Sequence, residues 1–300
     1  MNSSQLLNAI RSGRILVSDG AWGTFLQRKG LKPGECPELW NVSRRGDVLD
    51  IARSYVEAGA DMIETNSFGG NAYKLAHYGL ENRVDELNEA AAAISREAVG
   101  NDRFVLGSMG PTGVMLIMGD VSEQQLYDAF ARQAVALEKG GADAACIETM
   151  FAPDEAVCAI RAVRENTSLD VICTFTFEKT IQNSYRTMMG ISPSGMALAL
   201  ADAGADVIGT NCGNGIENMI PIVSEIKTAC PAIPVLVHAN AGMPVHTNGM
   251  DVYPDSPEFM ASLVPDIIRA GASIIGGCCG TTPEHIREIV REIGKYGTGH

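Results

Sequence analysis

Positive charge, long apolar runs and cysteine are all scarce in this chain of 300 residues. Its 23 Lys and Arg residues face 36 Asp and Glu residues, a formal net charge of −13 that argues against nucleic acid or an anionic membrane surface as a partner. No apolar run approaches the roughly 20 residues of a membrane span. The first 20 residues lack the apolar core of a secretory signal peptide, so we expect a cytoplasmic protein.

The cysteines fall into three groups by their surroundings, of which the first is Cys36 and Cys230, each followed by Pro at a predicted turn. Eight cysteines in 300 residues are too few for a disulfide scaffold. Cys146, Cys158 and Cys173 lie inside apolar segments, where cysteine acts as a small buried hydrophobic side chain. Cys212 and the adjacent pair Cys278 and Cys279 come at the ends of apolar segments instead. These three are the candidates for chemistry.

One sequence motif recurs four times along the chain, at 57–68, 139–150, 202–213 and 269–280. Each copy contains a Gly, a small residue, an Asp or Ser, and then a mostly apolar run. This pattern predicts a helix that ends at the Gly, a tight loop and a short buried strand. Each interval between copies has room for two βα units of about 30 residues.

The strands that the repeat does not supply are present as further apolar runs at 15–20, 103–110, 170–177 and 234–242. The chain therefore has eight predicted strands, which begin near residues 15, 62, 104, 144, 171, 206, 234 and 273. Helix-period segments lie between them, for example 48–59, 123–141, 194–204 and 259–271. This alternation predicts a (β/α)8 TIM barrel, with residues 1–300 as one domain. A doubly wound open sheet is less suitable, because no G-x-G-x-x-G follows the first strand.

Polar residues collect just after the predicted strands, which is where barrel enzymes place their active sites. In chain order these residues are Asp19, Glu64, Asn66, Ser108, Glu148, Thr174, Thr176, Asn211, Cys212, Asn240, Cys278 and Cys279. The three cysteines follow strands six and eight, which are separated by a single strand in the ring. We therefore expect their side chains to converge at the mouth of the barrel.

Three converging thiolates favour a metal site with one open position, the pattern of catalytic rather than structural zinc. Soft sulfur ligands also suit copper(I) and iron–sulfur clusters, but zinc needs neither a fourth protein ligand nor an electron path. Such an electron-rich zinc is a poor Lewis acid, and it suits a substrate thiol that loses its proton on binding. Gly276, Gly277 and Gly280 provide the backbone freedom to turn two consecutive cysteines toward one ion. The alternative is that the cysteines are buried without function.

Six segments spread over nearly the whole chain resemble the homocysteine S-methyltransferase family, and most closely the homocysteine-binding module of cobalamin-dependent methionine synthases. They are DGAWGT at 19–24, ETNSFGGN at 64–71, GSMGPTG at 107–113, TNCG at 210–213, ANAGMP at 239–244 and GGCCGTTPEHI at 276–286. Trp22 departs from the pattern, because relatives often have a smaller or aliphatic residue at this position.

The resemblance implies one Zn²⁺ per chain, with Cys212, Cys278 and Cys279 as ligands, and homocysteine as substrate. It also implies that Asp19 and the backbone amides of its loop, at Gly20 and Ala21, hold the amino acid. Glu148 matches the carboxylate that faces the substrate ammonium, and Asn240 matches an asparagine beside the zinc. These assignments agree with the chemistry of homocysteine, which carries a thiol, an ammonium and a carboxylate.

The predicted activity is methyl transfer to the homocysteine thiolate, giving methionine. A methylated corrinoid bound to a separate protein is the favoured donor, with a small sulfonium, a betaine or another thiol acceptor as variants. Two other classes stay open: a non-catalytic zinc- or thiol-binding barrel, and a lyase or aldolase with Glu148 as base. A Schiff-base enzyme would need a lysine at a strand end, and none of the predicted strand ends has one. The oligomeric state is not predicted.

Overall fold

The computed structural model describes residues 4–119, 121–247 and 250–296, and it contains an eight-stranded parallel ring. The ring strands are β1 (Leu16–Val17), β2 (Met62–Glu64), β3 (Phe104–Met109), β4 (Ala144–Met150), β5 (Asp170–Phe175), β8 (Val207–Gly215), β9 (Val235–Asn240) and β12 (Ala272–Gly277). Their order is β1-β12-β9-β8-β5-β4-β3-β2. A parallel bridge between Ser18 and Met62 joins β1 to β2 and closes the ring. The predicted (β/α)8 barrel is confirmed.

Helices lie between the ring strands along the chain, and most of them cover the outside of the barrel. They are α1 (Gln5–Arg11), α2 (Gly23–Arg28), α3 (Trp40–Ser43), α4 (Arg45–Ala58), α5 (Ala72–Ala76), α6 (Val84–Val99), α7 (Glu123–Gly140), α8 (Pro153–Asn166), α9 (Pro193–Asp202), α10 (Ile216–Ala229), α11 (Pro257–Ser262), α12 (Val264–Ala270) and α13 (Pro283–Tyr296). Short 3₁₀ helices lie at Glu81–Arg83 and Leu116–Met118. No helix in the described ranges has the length and apolar character needed to cross a bilayer.

Two small hairpins interrupt the alternation, both in loops at the carboxyl ends of ring strands. Strands β6 (Glu178–Lys179) and β7 (Tyr185–Arg186) pair after β5. Strands β10 (Val245–Thr247) and β11 (Met250–Val252) pair after β9. These hairpins were not predicted, because each strand is only two or three residues long and shows little periodicity.

The recurring sequence motif largely forms the helix end and loop that were predicted for it. Helices α4, α7 and α12 end at Gly59, Gly141 and Gly271, all in the left-handed conformation that glycine adopts without a steric penalty. After α9 the cap is Ala203, and Gly204 follows it with φ 91°. The predicted helix over 259–271 is divided into α11 and α12, because Pro265 can occupy the first turn of a helix but not its interior.

Helix α1 closes the amino-terminal end of the barrel. Its Leu6, Leu7 and Ile10 form one cluster with the side chains that fill the barrel interior. These interior side chains are Leu16, Met62, Leu106, Ala144, Cys146, Ile172, Val207, Leu236 and Ile274. Cys146, Cys158 and Cys173 are all buried, as predicted. Most of the remaining apolar side chains pack between the strands and the outer helices.

Truncation of Leu6 tests whether this bottom layer stabilises the barrel. The side chain is 1% exposed, and removal of a buried leucine leaves a cavity. We expect Leu6→Ala to lower the free energy of unfolding by roughly 2–5 kcal/mol, measured by urea denaturation. The neighbouring exposed Gln5 provides the control, since Gln5→Ala removes no buried area. Equal stability of the two variants would contradict a closing role for α1.

Candidate functional site

A cavity of about 270 Å³ opens at the carboxyl-terminal mouth of the barrel. Its walls come from the ends of β2, β3, β4, β8, β9 and β12, from the segment after β1, and from Pro37 and Glu38. Cys212, Cys278, Cys279 and Glu148 all line this one cavity. The sequence prediction that these strand ends meet is therefore confirmed.

The three cysteines form one compact sulfur cluster. Their Sγ atoms all lie within 4.8 Å of one another, and the Cys212 and Cys279 Sγ atoms are 3.9 Å apart. Each residue is only partly buried, so the cluster is accessible from the cavity. Among the residues described, this is the one group of three or more Cys, His, Asp or Glu side chains with the spacing of a metal site.

Cys212 reaches the cluster through an unusual backbone conformation. Its φ is 57°, in the left-handed region that non-glycine residues rarely adopt, and Gly213 follows with φ 70°. The regular pairing of β8 with β9 is interrupted between Asn211 and Gly215. Such an irregularity re-aims side chains at the end of a strand. Strain of this kind is commonly found at binding sites.

The turn that carries Cys278 and Cys279 is fixed by backbone bonds to the loop after β9. The Cys278 amide donates to the Ala239 carbonyl (2.7 Å), and the Ala241 amide donates to the Cys279 carbonyl (3.0 Å). Gly280 has φ 83°, which agrees with the predicted backbone freedom. At Gly277 the reason for glycine is space, because a Cβ there would lie 2.3 Å from Thr281 Oγ1.

The sulfur cluster shares protons when no metal is bound. The pKa of Cys212 is lowered to about 3, because the Cys278 and Cys279 thiols both donate toward its sulfur. The same interaction raises the pKa of Cys279 to about 11 and that of Cys278 well above its ordinary value. The cluster therefore carries one negative charge and two protons. A divalent cation would displace those protons.

Glu148 is a buried carboxyl at the end of β4. Its Oε1 accepts from the Ser108 hydroxyl, and its Oε2 accepts from Asn211 Nδ2 at 3.2 Å. Burial raises its pKa to about 7. Asn211 also bonds to Thr149 and Thr174, so this amide links the ends of β4, β5 and β8. The sequence placed Asn211 at the mouth, but its bonding partners could not be predicted.

Asp19 lies behind the cavity wall. It is fully buried, and its Oδ2 accepts from the Trp22 indole (2.8 Å) and from the Glu64 amide (2.9 Å). Burial raises its pKa to about 7. The cavity is lined instead by Gly20, Ala21 and Trp22. The Ala21 amide donates to Thr281 Oγ1 (3.0 Å) and thereby ties this loop to the cysteine turn.

Two asparagines among the candidates have different surroundings. Asn240, at the end of β9, is 3% exposed, lies beside Cys212 and helps to lower the pKa of that thiol. Its Oδ1 atom is buried and has no hydrogen-bond partner among the described residues. Asn66 Nδ2, by contrast, donates to the Pro37 carbonyl and to Asn41 Oδ1. Its amide therefore holds the loop after β2 in place.

The site combines soft sulfur ligands with several carboxyls and lacks fixed positive charge. Among the described residues that line the cavity, none is Lys or Arg. His238 lines the cavity too, but burial lowers its pKa to about 4, so it is neutral near pH 7. Such a site is suited to a metal cation and to a ligand that carries its own positive charge.

Comparison with known proteins gives a consistent result. Residues 16–293 match the sequence profile of the family described as Homocysteine S-methyltransferase. The methionine synthases of Mycobacterium leprae and Mycobacterium tuberculosis are 34% and 35% identical to this chain, over 95% of its length. The chain spans about a quarter of the length of these two relatives, since the matches cover 25% of each.

A solved structure has the same fold. The metallated form of the Escherichia coli homocysteine methyltransferase MmuM matches with a TM-score of 0.77 and 23% identity. The match covers 94% of this chain and 98% of the other. At this level of identity the likeness supports the barrel fold.

The raised pKa of Glu148 makes stability depend on pH. In the absence of ligand the folded protein keeps this proton between about pH 4.5 and 7, where the unfolded chain has lost it. Stability therefore falls as the pH rises through this window. Over this pH window we expect Glu148→Gln to lose less unfolding free energy than wild type, by up to about 3 kcal/mol. Urea unfolding of metal-free protein at several pH values measures the difference. The exposed Glu57 is the control, and Glu57→Gln should keep the wild-type slope. A wild-type slope in Glu148→Gln would contradict a protonated Glu148.

Proposed function

The chain belongs to the homocysteine S-methyltransferase family, and from that premise we propose that it methylates the sulfur of homocysteine to give methionine. The observation that carries the proposal is the sulfur cluster of Cys212, Cys278 and Cys279 at the wall of a cavity that also holds buried carboxyls. A metal held by the cysteines would suit the thiol of homocysteine, and the buried carboxyls would suit its ammonium. Residues 1–300 would then form one homocysteine-binding barrel domain.

The proposed cofactor is one Zn²⁺ per chain, held by Cys212, Cys278 and Cys279. Three Sγ atoms within 4.8 Å of one another fit a thiolate site for zinc, and all three cysteines line the cavity, so a substrate sulfur could reach an ion held there. Zinc bound there would hold the substrate sulfur as a thiolate and leave it nucleophilic. The unpartnered Asn240 Oδ1 also fits a site for a cation.

The chain's own residues would bind and orient the amino-acid part of the substrate. Glu148 would accept a hydrogen bond from the substrate ammonium, and Gly20 and Ala21 would face the substrate carboxylate. Asp19 would act through the two bonds of its Oδ2 atom, which hold the Trp22 side chain and the Glu64 backbone in place. Asn240 would lie beside the sulfur and limit its position.

The favoured methyl donor is a methylated corrinoid carried by a separate protein or domain. The similarity to methionine synthases supports this choice. Exposed apolar side chains in the loops after β3, β5 and β9, including Met118, Met188 and Met243, also suit contact with a protein. A small sulfonium, a betaine or another thiol acceptor would use the same sulfur chemistry. A cytoplasmic location stays a prediction.

Removal of single cysteines tests the metal site. We expect Cys278→Ala and Cys279→Ala to lose zinc and methyl transfer while the fold survives, because the barrel core does not depend on the ion. Elemental analysis and circular dichroism measure the two properties. Cys146 is buried in the barrel interior, so Cys146→Ala should keep its zinc. Stoichiometric zinc in either of the first two variants would overturn the ligand assignment.

Product formation tests the activity itself. Zinc-loaded protein incubated with homocysteine and a panel of methyl donors should form methionine, detected by mass spectrometry. We expect turnover with a methylated corrinoid, and none when homoserine replaces homocysteine, because oxygen is a poor ligand for a thiolate-rich zinc. Zinc binding without methionine from any donor would favour the non-catalytic binding barrel. Methionine formation that survives removal of the metal would contradict the role proposed for zinc.

A further inference from the structure

Glu64 is a second cavity carboxyl, and neither the zinc site nor the bonds of Glu148 involve its side chain. It is the last residue of β2, lines the cavity and is 7% exposed. Its Oε1 atom is buried and has no hydrogen-bond partner among the described residues. A buried carboxylate oxygen without a partner is costly. A ligand that donates to it would remove that cost.

The backbone of Glu64 is held firmly on both sides. Its amide donates to Asp19 Oδ2 (2.9 Å), and its carbonyl accepts from the Ser95 hydroxyl (2.8 Å). The side chain therefore starts from a fixed point at the cavity wall. Sites supported in this way bind with little loss of conformational entropy.

Of the groups that face Glu64, the Cys146 thiol hydrogen-bonds to its carboxyl but carries no positive charge. Burial, together with repulsion from Glu148 and Asp19, raises the pKa of Glu64 well above its ordinary value. His238 Nδ1 lies 3.6 Å from Glu64 Oε1, which is too long for a hydrogen bond. His238 is also neutral, and its own Nε2 atom has no partner. The cavity wall at Glu64 therefore lacks a positively charged hydrogen-bond donor.

We propose that Glu64 binds the substrate ammonium together with Glu148, so that the amino group lies between two carboxyls from neighbouring parts of the mouth. This inference rests on the proposed function, since it assumes an amino-acid thiol as the ligand. An ammonium has three N–H donors. One would reach Glu148, whose two oxygens are already bonded to Ser108 and Asn211, and another would reach the unpartnered Oε1 atom of Glu64.

The joint binding of the ammonium by Glu64 and Glu148 explains how the site selects an α-amino thiol. The sulfur cluster alone would accept many alkyl thiols, because it recognises only the sulfur atom. Two carboxyls that need a cation penalise a ligand without an ammonium, because such a ligand leaves them buried and unpaired. Glu64 is then a specificity-determining residue that contacts the substrate.

The experiment compares two thiols on the zinc-loaded full chain by isothermal titration calorimetry. Homocysteine carries the ammonium, and 4-mercaptobutanoate has the same thiol and carboxylate without it. Wild-type protein should prefer homocysteine. In Glu64→Gln we expect homocysteine affinity to fall roughly 10- to 150-fold, as for loss of a charged hydrogen bond. The affinity for 4-mercaptobutanoate should stay within about twofold of wild type. Glu148→Gln should show the same selective loss.

Glu38 offers a matched control at the same cavity. Its Oε1 accepts from the Gly69 amide (2.7 Å), and its Oε2 lies 3.2 Å from the Cys36 thiol. Both oxygens therefore have partners already, and Glu38→Gln should keep the wild-type preference for homocysteine. Thermal unfolding checks that each variant is folded. If Glu64→Gln does not fold, Glu64→Asp, which withdraws the carboxylate by one methylene, should show the same selective loss.

Three results would overturn the proposal. An unchanged preference in Glu64→Gln would mean that Glu64 does not contact the ammonium. An equal loss for both thiols would mean that its role is structural. Failure of the wild type to bind either thiol would contradict the proposed function and the ammonium site with it, so the two failures are distinguishable.

Discussion

The candidate site depends on the register of three neighbouring strands. Asn211 of β8 and Gly276 of β12 both pair with His238, which lies on the strand between them. Cys212 follows Asn211 directly, and Cys278 comes two residues after Gly276, so the shared partner sets both cysteine segments near the same height in the barrel. A shift of one residue would turn successive side chains to the opposite face. The sulfur cluster would then be lost, although every cysteine would still be present.

Local irregularities in the backbone also position the cysteine side chains. The interruption of β8 after Asn211 and the left-handed conformation of Cys212 turn its thiol toward the cluster. On the other side, Gly277 leaves room for Thr281, whose hydroxyl accepts from the Ala21 amide. The Gly277 amide also donates to the Asp19 carbonyl (2.8 Å), so the segment after β1 and the cysteine turn are joined at more than one point. The cavity wall after β1 and the cysteine cluster are therefore held as one unit.

The electrostatics of the mouth are unfavourable in the protein alone. Glu64, Glu148 and Asp19 are buried with raised pKa values, and the cysteine cluster adds a further negative charge. No lysine or arginine lines this cavity among the described residues. Stability is therefore lower than a neutral cavity would allow, and bound cations would recover it. This arrangement is typical of a site organised for its ligand rather than for folding.

The sequence by itself determined the eight βα units, the strand ends at which chemistry collects and the three cysteines that meet there. The βα units could be predicted because the recurring glycine motif and the apolar runs are local signals. The meeting of the strand ends could be predicted because parallel strands in a barrel present their carboxyl ends at one mouth. Only the tertiary structure decided which carboxyls reach the cavity. Asp19 and Glu64 both lie at the ends of buried strands, yet Asp19 is bonded to Trp22 behind the cavity wall, whereas Glu64 lines the cavity with its Oε1 atom unpartnered. That difference arises from contacts between residues far apart in sequence, which local patterns do not record.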